Sequence, residues 1–223
     1  DKKRVVKALK NISEGEDGGE YMDVDNVLKY LAVQTFVVNL DGLAGNEDEN
    51  YYLYESGGML NLIPWDYDLA FGGTQGSTAS EVVNFPIDTP FTTGLESRAF
   101  FAALLENDEY LAQYHEYLRR LAEEYAEGGE LDAAVTRIRA QTDTLVASDP
   151  TAFYTQSEYE TAAETLTNVI RLRAESVLGQ LDGTIPSTAA GQSADPSALV
   201  DCTGTDLSST GTEGDAAAGT EQS

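Results

Sequence analysis

The sequence predicts an α+β domain, mainly α, in which one short β-hairpin sits among a scaffold of helices. Three observations carry that expectation: apolar residues recur at helical spacing through most of residues 1–183, two β-prone runs are split by Gly57-Gly58, and no internal repeat is visible. A chain of 223 residues with 41% hydrophobic content can bury one good-sized core. Residues 184–223 hold no aromatic residue, no Lys and no Arg. Such a stretch cannot offset its own ordering entropy, so the folded unit is expected to end near Gly183 and to be followed by a disordered acidic linker rich in Ser, Thr, Gly and Ala.

Taken in order, Lys2 to Lys10 reads as the interior of a helix, and the chain opens on Asp1 rather than Met, as a segment of something longer would. Residues 25–38 are almost continuously apolar, which predicts a buried helix that Asp23 or Asp25 can cap. An acidic, turn-rich loop (residues 41–50) follows. Then come the two β-prone runs, with Gly57-Gly58 as a tight turn whose primed geometry needs positive φ. Residues 71–93, rich in Gly, Ser, Thr and Pro, read as a long irregular segment, which in a small domain is more often functional than idle. Helices are expected over 97–105, over 108–127 with Leu111, Tyr114, Leu118, Leu121 and Tyr125 on one face, and over 131–146. A last one ends at Leu181, opened by the capping-box pattern Ser157-Glu-Tyr-Glu160.

The net charge of −26 argues against nucleic acid as a partner, because phosphates need Lys and Arg to displace their counterions. The same charge attracts divalent cations and basic proteins, or simply keeps the protein soluble. Cys202 is the sole cysteine, so neither an intrachain disulfide nor a thiolate cluster can form. No apolar run approaches the ~18 residues that a membrane span requires.

The hairpin turns sequence into space. With Gly57-Gly58 as the turn, Ser56 faces Met59, Tyr54 faces Asn61, Tyr52 faces Ile63 and Asn50 comes opposite Trp65. Paired strands lie ~4.8 Å apart, so the Asn50 side chain and the Asp66 carboxylate converge at the open end. Asp41 enters the same loop from the end of the buried helix, and Asp68 follows Asp66 by two. Oxygen ligands without His or Cys suit Mg²⁺ or Mn²⁺, whose remaining partners are often phosphate oxygens. Protein kinases use an Asp to orient the acceptor hydroxyl, an Asn after it and a second Asp beyond a hairpin to hold metal. The order here is the same, although Asn50 follows Asp41 by nine residues where the common loop has about five. Trp65 reads as a packing anchor beneath this site, and His115, alone on an acidic helix, as structural or exposed.

Three stretches carry a family resemblance: residues 30–41, Asn50-Tyr-Tyr-Leu-Tyr54, and above all Ile63-Pro-Trp-Asp-Tyr-Asp-Leu-Ala-Phe-Gly72. They closely resemble the CotH family of spore-coat and cell-surface proteins, atypical secretory-type protein kinases, and the likeness continues through Asn84-Phe-Pro-Ile-Asp88 over most of residues 20–183. The resemblance implies the C-terminal lobe of a protein-kinase-like fold, ATP and Mg²⁺ as cofactors, a basic Ser-rich protein as substrate, and a place outside the cytoplasm, on a cell surface or spore coat. It makes Asp41 the counterpart of the catalytic aspartate and Asp66 of the metal-binding one, with Asn50 and Asp68 as further ligands. Neither a Gly-rich phosphate loop nor a strand Lys precedes the buried helix, so the nucleotide lobe is expected upstream of Asp1 and this segment alone is expected to be inactive. Two other readings stay open: a non-catalytic surface or coat-assembly module on the same fold, and a glycosidase-like carboxylate pair.

Overall fold

The computed structural model describes residues 2–14, 17–43, 45, 49–73, 77–91 and 99–211, the side chains of residues 99 and 100 excepted. The chain enters through α1 (Lys2–Ser13), which buries Ala8 and Ile12 and turns its lysines outward. α2 (Val24–Val37) follows, and Asp23 caps it by accepting from the Asn26 N–H. This helix is apolar on nearly every side because other elements surround it: Val27, Leu28, Leu31, Ala32 and Phe36 are all buried. It stops at Val38, a β-branched residue held in the left-handed region at φ 52°, with the N–H groups of Val38 and Asn39 both directed to Gln34 O. That conformation costs on the order of 1–3 kcal/mol.

The hairpin has the expected register. β1 (Tyr51–Ser56) pairs antiparallel with β2 (Met59–Pro64), Ser56 opposite Met59 and Tyr52 opposite Ile63, and Trp65 N donates to Asn50 O at 3.2 Å. Gly57 and Gly58 both have positive φ, 62° and 91°, as a type I′ turn demands. Leu60 and Leu62 face inward, and Asn26 of α2 fixes the strand by accepting from Leu62 N at 2.7 Å and donating to Leu62 O at 3.2 Å. Trp65 corrects the expectation of a buried anchor. It falls on the outward phase set by Ile63, lies 47% exposed, and stacks on Tyr52 with ring centroids 6.1 Å apart.

Residues 71–93 are less irregular than their composition suggests. They hold the end of a short 3-10 turn (Ala70–Gly72) and a one-turn helix, α3 (Ala79–Val83), opened by a Thr78–Glu81 capping box. Residues 74–76 and 92–93 lie outside the described set. α4 (Ala99–Leu105) and α5 (Asp108–Arg120) form close to where periodicity places them, with Tyr114 and Leu118 buried. The face does not continue to Tyr125. Over Leu121–Glu127 the helix widens into a π-helix, whose extra residue per turn rotates the buried stripe onto Ala122 and Ala126 and leaves Tyr125 42% exposed. α6 (Glu130–Ser148) and α7 (Gln156–Leu181) complete the scaffold. The capping box of α7 is Thr155 with Glu158, two residues before the Ser157 pattern, because the earlier cap lets the helix gain further backbone bonds.

The expected linker also needs correcting. Residues 184–211 fold back over α3 and α7, with a short helix α8 (Ala189–Ala194) and a 3-10 turn (Leu207–Thr210). Asn84 holds this segment as a strand neighbour would, accepting from Val200 N at 2.9 Å and donating to Val200 O at 3.1 Å. Ile185 and Leu207 are buried, Leu207 among Val38, Val82 and Val169. Composition misleads here because the segment orders by docking on a surface that already exists, so few apolar side chains of its own suffice. Residues 212–223 lie outside the described set.

At the centre lies Arg173 of α7, fully buried. Its guanidinium donates to Thr35 O at 2.9 Å and Phe36 O at 3.2 Å, carbonyls left over at the end of α2, to Val83 O at 3.0 Å at the end of α3 and to Phe85 O at 2.7 Å just beyond it. Burial pulls its pKa down to about 9, which still leaves it charged at neutral pH, and among the described residues it forms no ion pair. Beside it the Tyr114 hydroxyl lies 2.8 Å from Ile87 O and 3.0 Å from Thr35 Oγ1, while Gln180 accepts from Ile87 N at 3.0 Å.

Arg173→Leu strands four carbonyls, so urea denaturation should show a loss of about 3–5 kcal/mol. Arg173→Lys should recover only part of it, since an ammonium has three donors and no planar fork. A second prediction concerns Asp88, 2.6 Å from His115 Nε2. Burial alone would raise its pKa, but hydrogen bonds from His115 and Ser187, with the His115 charge, hold it below the ordinary 3.8. A depressed carboxylate stabilises the fold above its unfolded pKa, and that contribution disappears as pH falls through the folded value. In His115→Ala the acid-side fall in thermal midpoint should therefore be smaller than in the parent.

Candidate functional site

The loop that leaves α2 is shaped by three polar residues, Tyr30 and Gln34 within the helix and Asn39 just after it. Asn39 Oδ1 accepts from Asp41 N at 3.2 Å, and the Tyr30 hydroxyl accepts from Leu43 N at 3.2 Å. Gln34 donates to the Tyr67 hydroxyl at 2.9 Å, tying the helix to the Asp66-Tyr67-Asp68 segment beyond the hairpin. The same Gln34 closes the space over Gly42, where a Cβ would lie 2.6 Å from Gln34 Oε1. Glycine at 42 is thus a matter of close approach. Gln34 Oε1 and Asn39 Nδ2 are buried without a hydrogen-bond partner among the described residues, an unusual cost at the root of this loop.

The structure brings Asp41 and Asn50 together: Asn50 Nδ2 donates to the Asp41 carboxylate and lies 3.4 Å from Asp41 O. It also brings the Asp66 and Asp68 carboxyls close enough to interact, with Asp41 near enough for its charge to act on Asp66. The Asp68 hydrogen bond, followed by partial desolvation and the charges of Asp68 and Asp41, raises the Asp66 pKa. All four non-glycine residues with positive φ among those described are Val38, Asn50, Asp66 and Phe71, so backbone strain is concentrated around this cluster. Asn50 and Asp66 sit on either side of the hairpin's open end, each turning the chain out of the strand ladder.

Among the described residues no three carboxylate, imidazole or thiolate groups stand in metal-ligating geometry. The donor set nevertheless fits Mg²⁺, which takes one or two carboxylates and leaves its other positions to water and phosphate. Like-charged carboxyls pressed together, one with its pKa raised, are the electrostatic condition that a divalent cation relieves.

The sequence places all four candidate residues in one region but does not reveal Gln34, Asn39 and Tyr67, whose hydrogen bonds shape that region. The signal for Gln34 was present: a polar pair, Gln34-Thr35, inside an otherwise apolar helix. A buried polar side chain must have a reason.

A mainly helical α+β domain with an oxygen-donor cluster at the mouth of its one described hairpin defines the class of protein. The chain belongs to the CotH family: the family model described as CotH kinase protein matches residues 3–177. A similar curated protein is the inner spore coat protein H of Bacillus subtilis (strain 168), 44% identical over 55 residues, a match that covers 24% of this chain and 14% of that protein. No solved structure matches. No described helix is long and apolar enough to cross a membrane.

Removing one of the paired charges should release Asp66. In Asp68→Asn the carboxyl of Asp66, followed by ¹³C NMR titration, should move down towards 3.8, and an unchanged value would dismiss the pairing.

Proposed function

We propose that this chain is the acceptor and metal side of a protein Ser/Thr kinase that uses ATP and Mg²⁺ or Mn²⁺. The observation that carries the reading is the convergence of Asp41, Asn50, Asp66 and Asp68 at the open end of the hairpin, in a chain of the CotH family. When bound, the metal would neutralise charge on the transferred phosphoryl group. Asp66 would hold it, with Asp68 beside it and the Asn50 amide oxygen as a further donor. Asp41 would accept a hydrogen bond from the acceptor hydroxyl, orient it and take up its proton. Asn50, donating to the Asp41 carboxylate, keeps that carboxylate aimed. The acidic chain favours a basic Ser-rich protein as acceptor, and the coat protein named among its relatives favours a spore-coat or surface setting.

A non-catalytic coat-assembly module is the competing reading. It is favoured by the carboxylates' present engagement with one another and by the lack of a three-ligand cage among the described residues. Two measurements separate them. Titration calorimetry with MgCl₂ and MnCl₂ should give binding that Asp66→Asn removes. With a chain that includes the nucleotide-binding part, transfer of labelled phosphate to a basic Ser-rich protein should fall about 100-fold or more in Asp41→Asn and in Asp66→Asn. Equal transfer in parent and variants would refute the kinase assignment.

A further inference from the structure

Both strands of a two-stranded sheet are edges, but in this hairpin one alone is guarded. Ser56 and Met59 flank a two-residue turn and the bond from Trp65 N to Asn50 O continues their phase, so Leu60, Leu62 and Pro64 point their backbone groups outward on β2. All of these except the Pro64 carbonyl are covered or missing: Leu60 N donates to Tyr21 O at 3.0 Å, Leu60 O accepts from Asp23 N at 2.9 Å, Asn26 takes both groups of Leu62, and Pro64 has no N–H. On β1 the outward groups belong to Tyr51, Leu53 and Glu55, and they make no hydrogen bond among the described residues. One sheet face beside that open edge is apolar and exposed, with Tyr52 63%, Tyr54 55%, Ile63 45% and Trp65 47% accessible. Its far end runs into Asn50, Asp41 and Asp66.

We infer that the β1 edge captures an extended, basic segment of a partner polypeptide as a third strand. Donors and acceptors repeating every second residue, ~6.8 Å apart, are matched by an extended backbone and by little else. The side chains of that strand on the aromatic face lie beside Tyr52 and Tyr54, and a cation among them meets the ring faces and the carboxylates of Asp66 and Asp68. Charge selects the occupant: a second copy, also at −26, is repelled, and a basic segment is drawn in. Only the use made of the strand, as phosphoryl acceptor, rests on the kinase reading.

Trp65 is the chain's sole tryptophan, so its emission reports on this face. A synthetic peptide alternating Arg and Thr should change that emission saturably. Methylating its alternate backbone nitrogens in the phase that faces β1 should weaken binding about tenfold or more, and methylation in the opposite phase should not. Glu55→Pro, which removes an outward N–H without touching the ladder to β2, should weaken it as well, and the paired methylated peptides decide the matter if that variant does not fold. Silent emission with every peptide, equal loss in both phases, or a dimer formed without peptide in sedimentation equilibrium would each overturn the inference. Capture that persists where phosphate transfer is absent removes the kinase reading alone.

Discussion

A single buried guanidinium sets the geometry on which the candidate site depends. Arg173 reaches from α7 to the last carbonyls of α2 and to the chain leaving α3, so three elements meet on one planar group. Its charge is balanced by carbonyl dipoles at the negative end of α2 rather than by a carboxylate. Thr35 and Phe36, the residues it grips, stand just before Val38, where the helix breaks. A break into the left-handed region by a valine persists only if the surroundings over-determine it. The grip of Arg173 on one side and the burial of Val38 against Val82, Val169 and Leu207 on the other supply that determination.

The same logic explains why a segment poor in apolar residues is ordered. Residues 184–211 contribute Leu207 to the cluster that pins Val38 and Phe71, and a Cβ on Gly72 would strike Leu207 at 2.8 Å. Asn84 completes the connection, binding Val200 on one side and Ser176 of α7 on the other. The Asn84-to-Asp88 stretch, part of the family likeness, serves in this structure as a buried hub. Its backbone groups are met by side chains from α5 and α7, which is how a loop can lie inside a core.

Local signals carried well wherever the physics was local. The Gly57-Gly58 turn fixed the register of the hairpin, and with it the pairing of Asn50 with Trp65, because positive φ at both centres admits few alternatives. Helix spans followed from periodicity. What escaped was decided by partners distant in sequence: the π-helix that turns Tyr125 outward, the exposure of Trp65, and Arg173, whose partners lie 88 to 138 residues away. Arg173 in a helical run reads as surface until four carbonyls are found around it. At the candidate site the grouping of the acidic residues was legible and its supports were not, since the Gln34 contact with Tyr67 joins a helix to a loop on the far side of the hairpin.

The hairpin therefore has two different jobs on its two sides. Leu62 locks it to α2 through Asn26, and Leu60 locks it to Tyr21 and Asp23 just before that helix, which fixes where Asn50 and Asp66 come to rest. Its other face and its β1 edge contribute nothing comparable to that placement, yet they expose aromatic rings and unpaired backbone, features that an isolated soluble domain ordinarily hides. An acidic cluster whose carboxyls crowd one another adds to the same imbalance: charge of one sign, held by strained backbone and uncompensated by any nearby cation among the described residues. Stability alone favours none of these. They are concentrated within one hairpin length of each other, and the proposed binding of a cation and a polypeptide rests on that concentration.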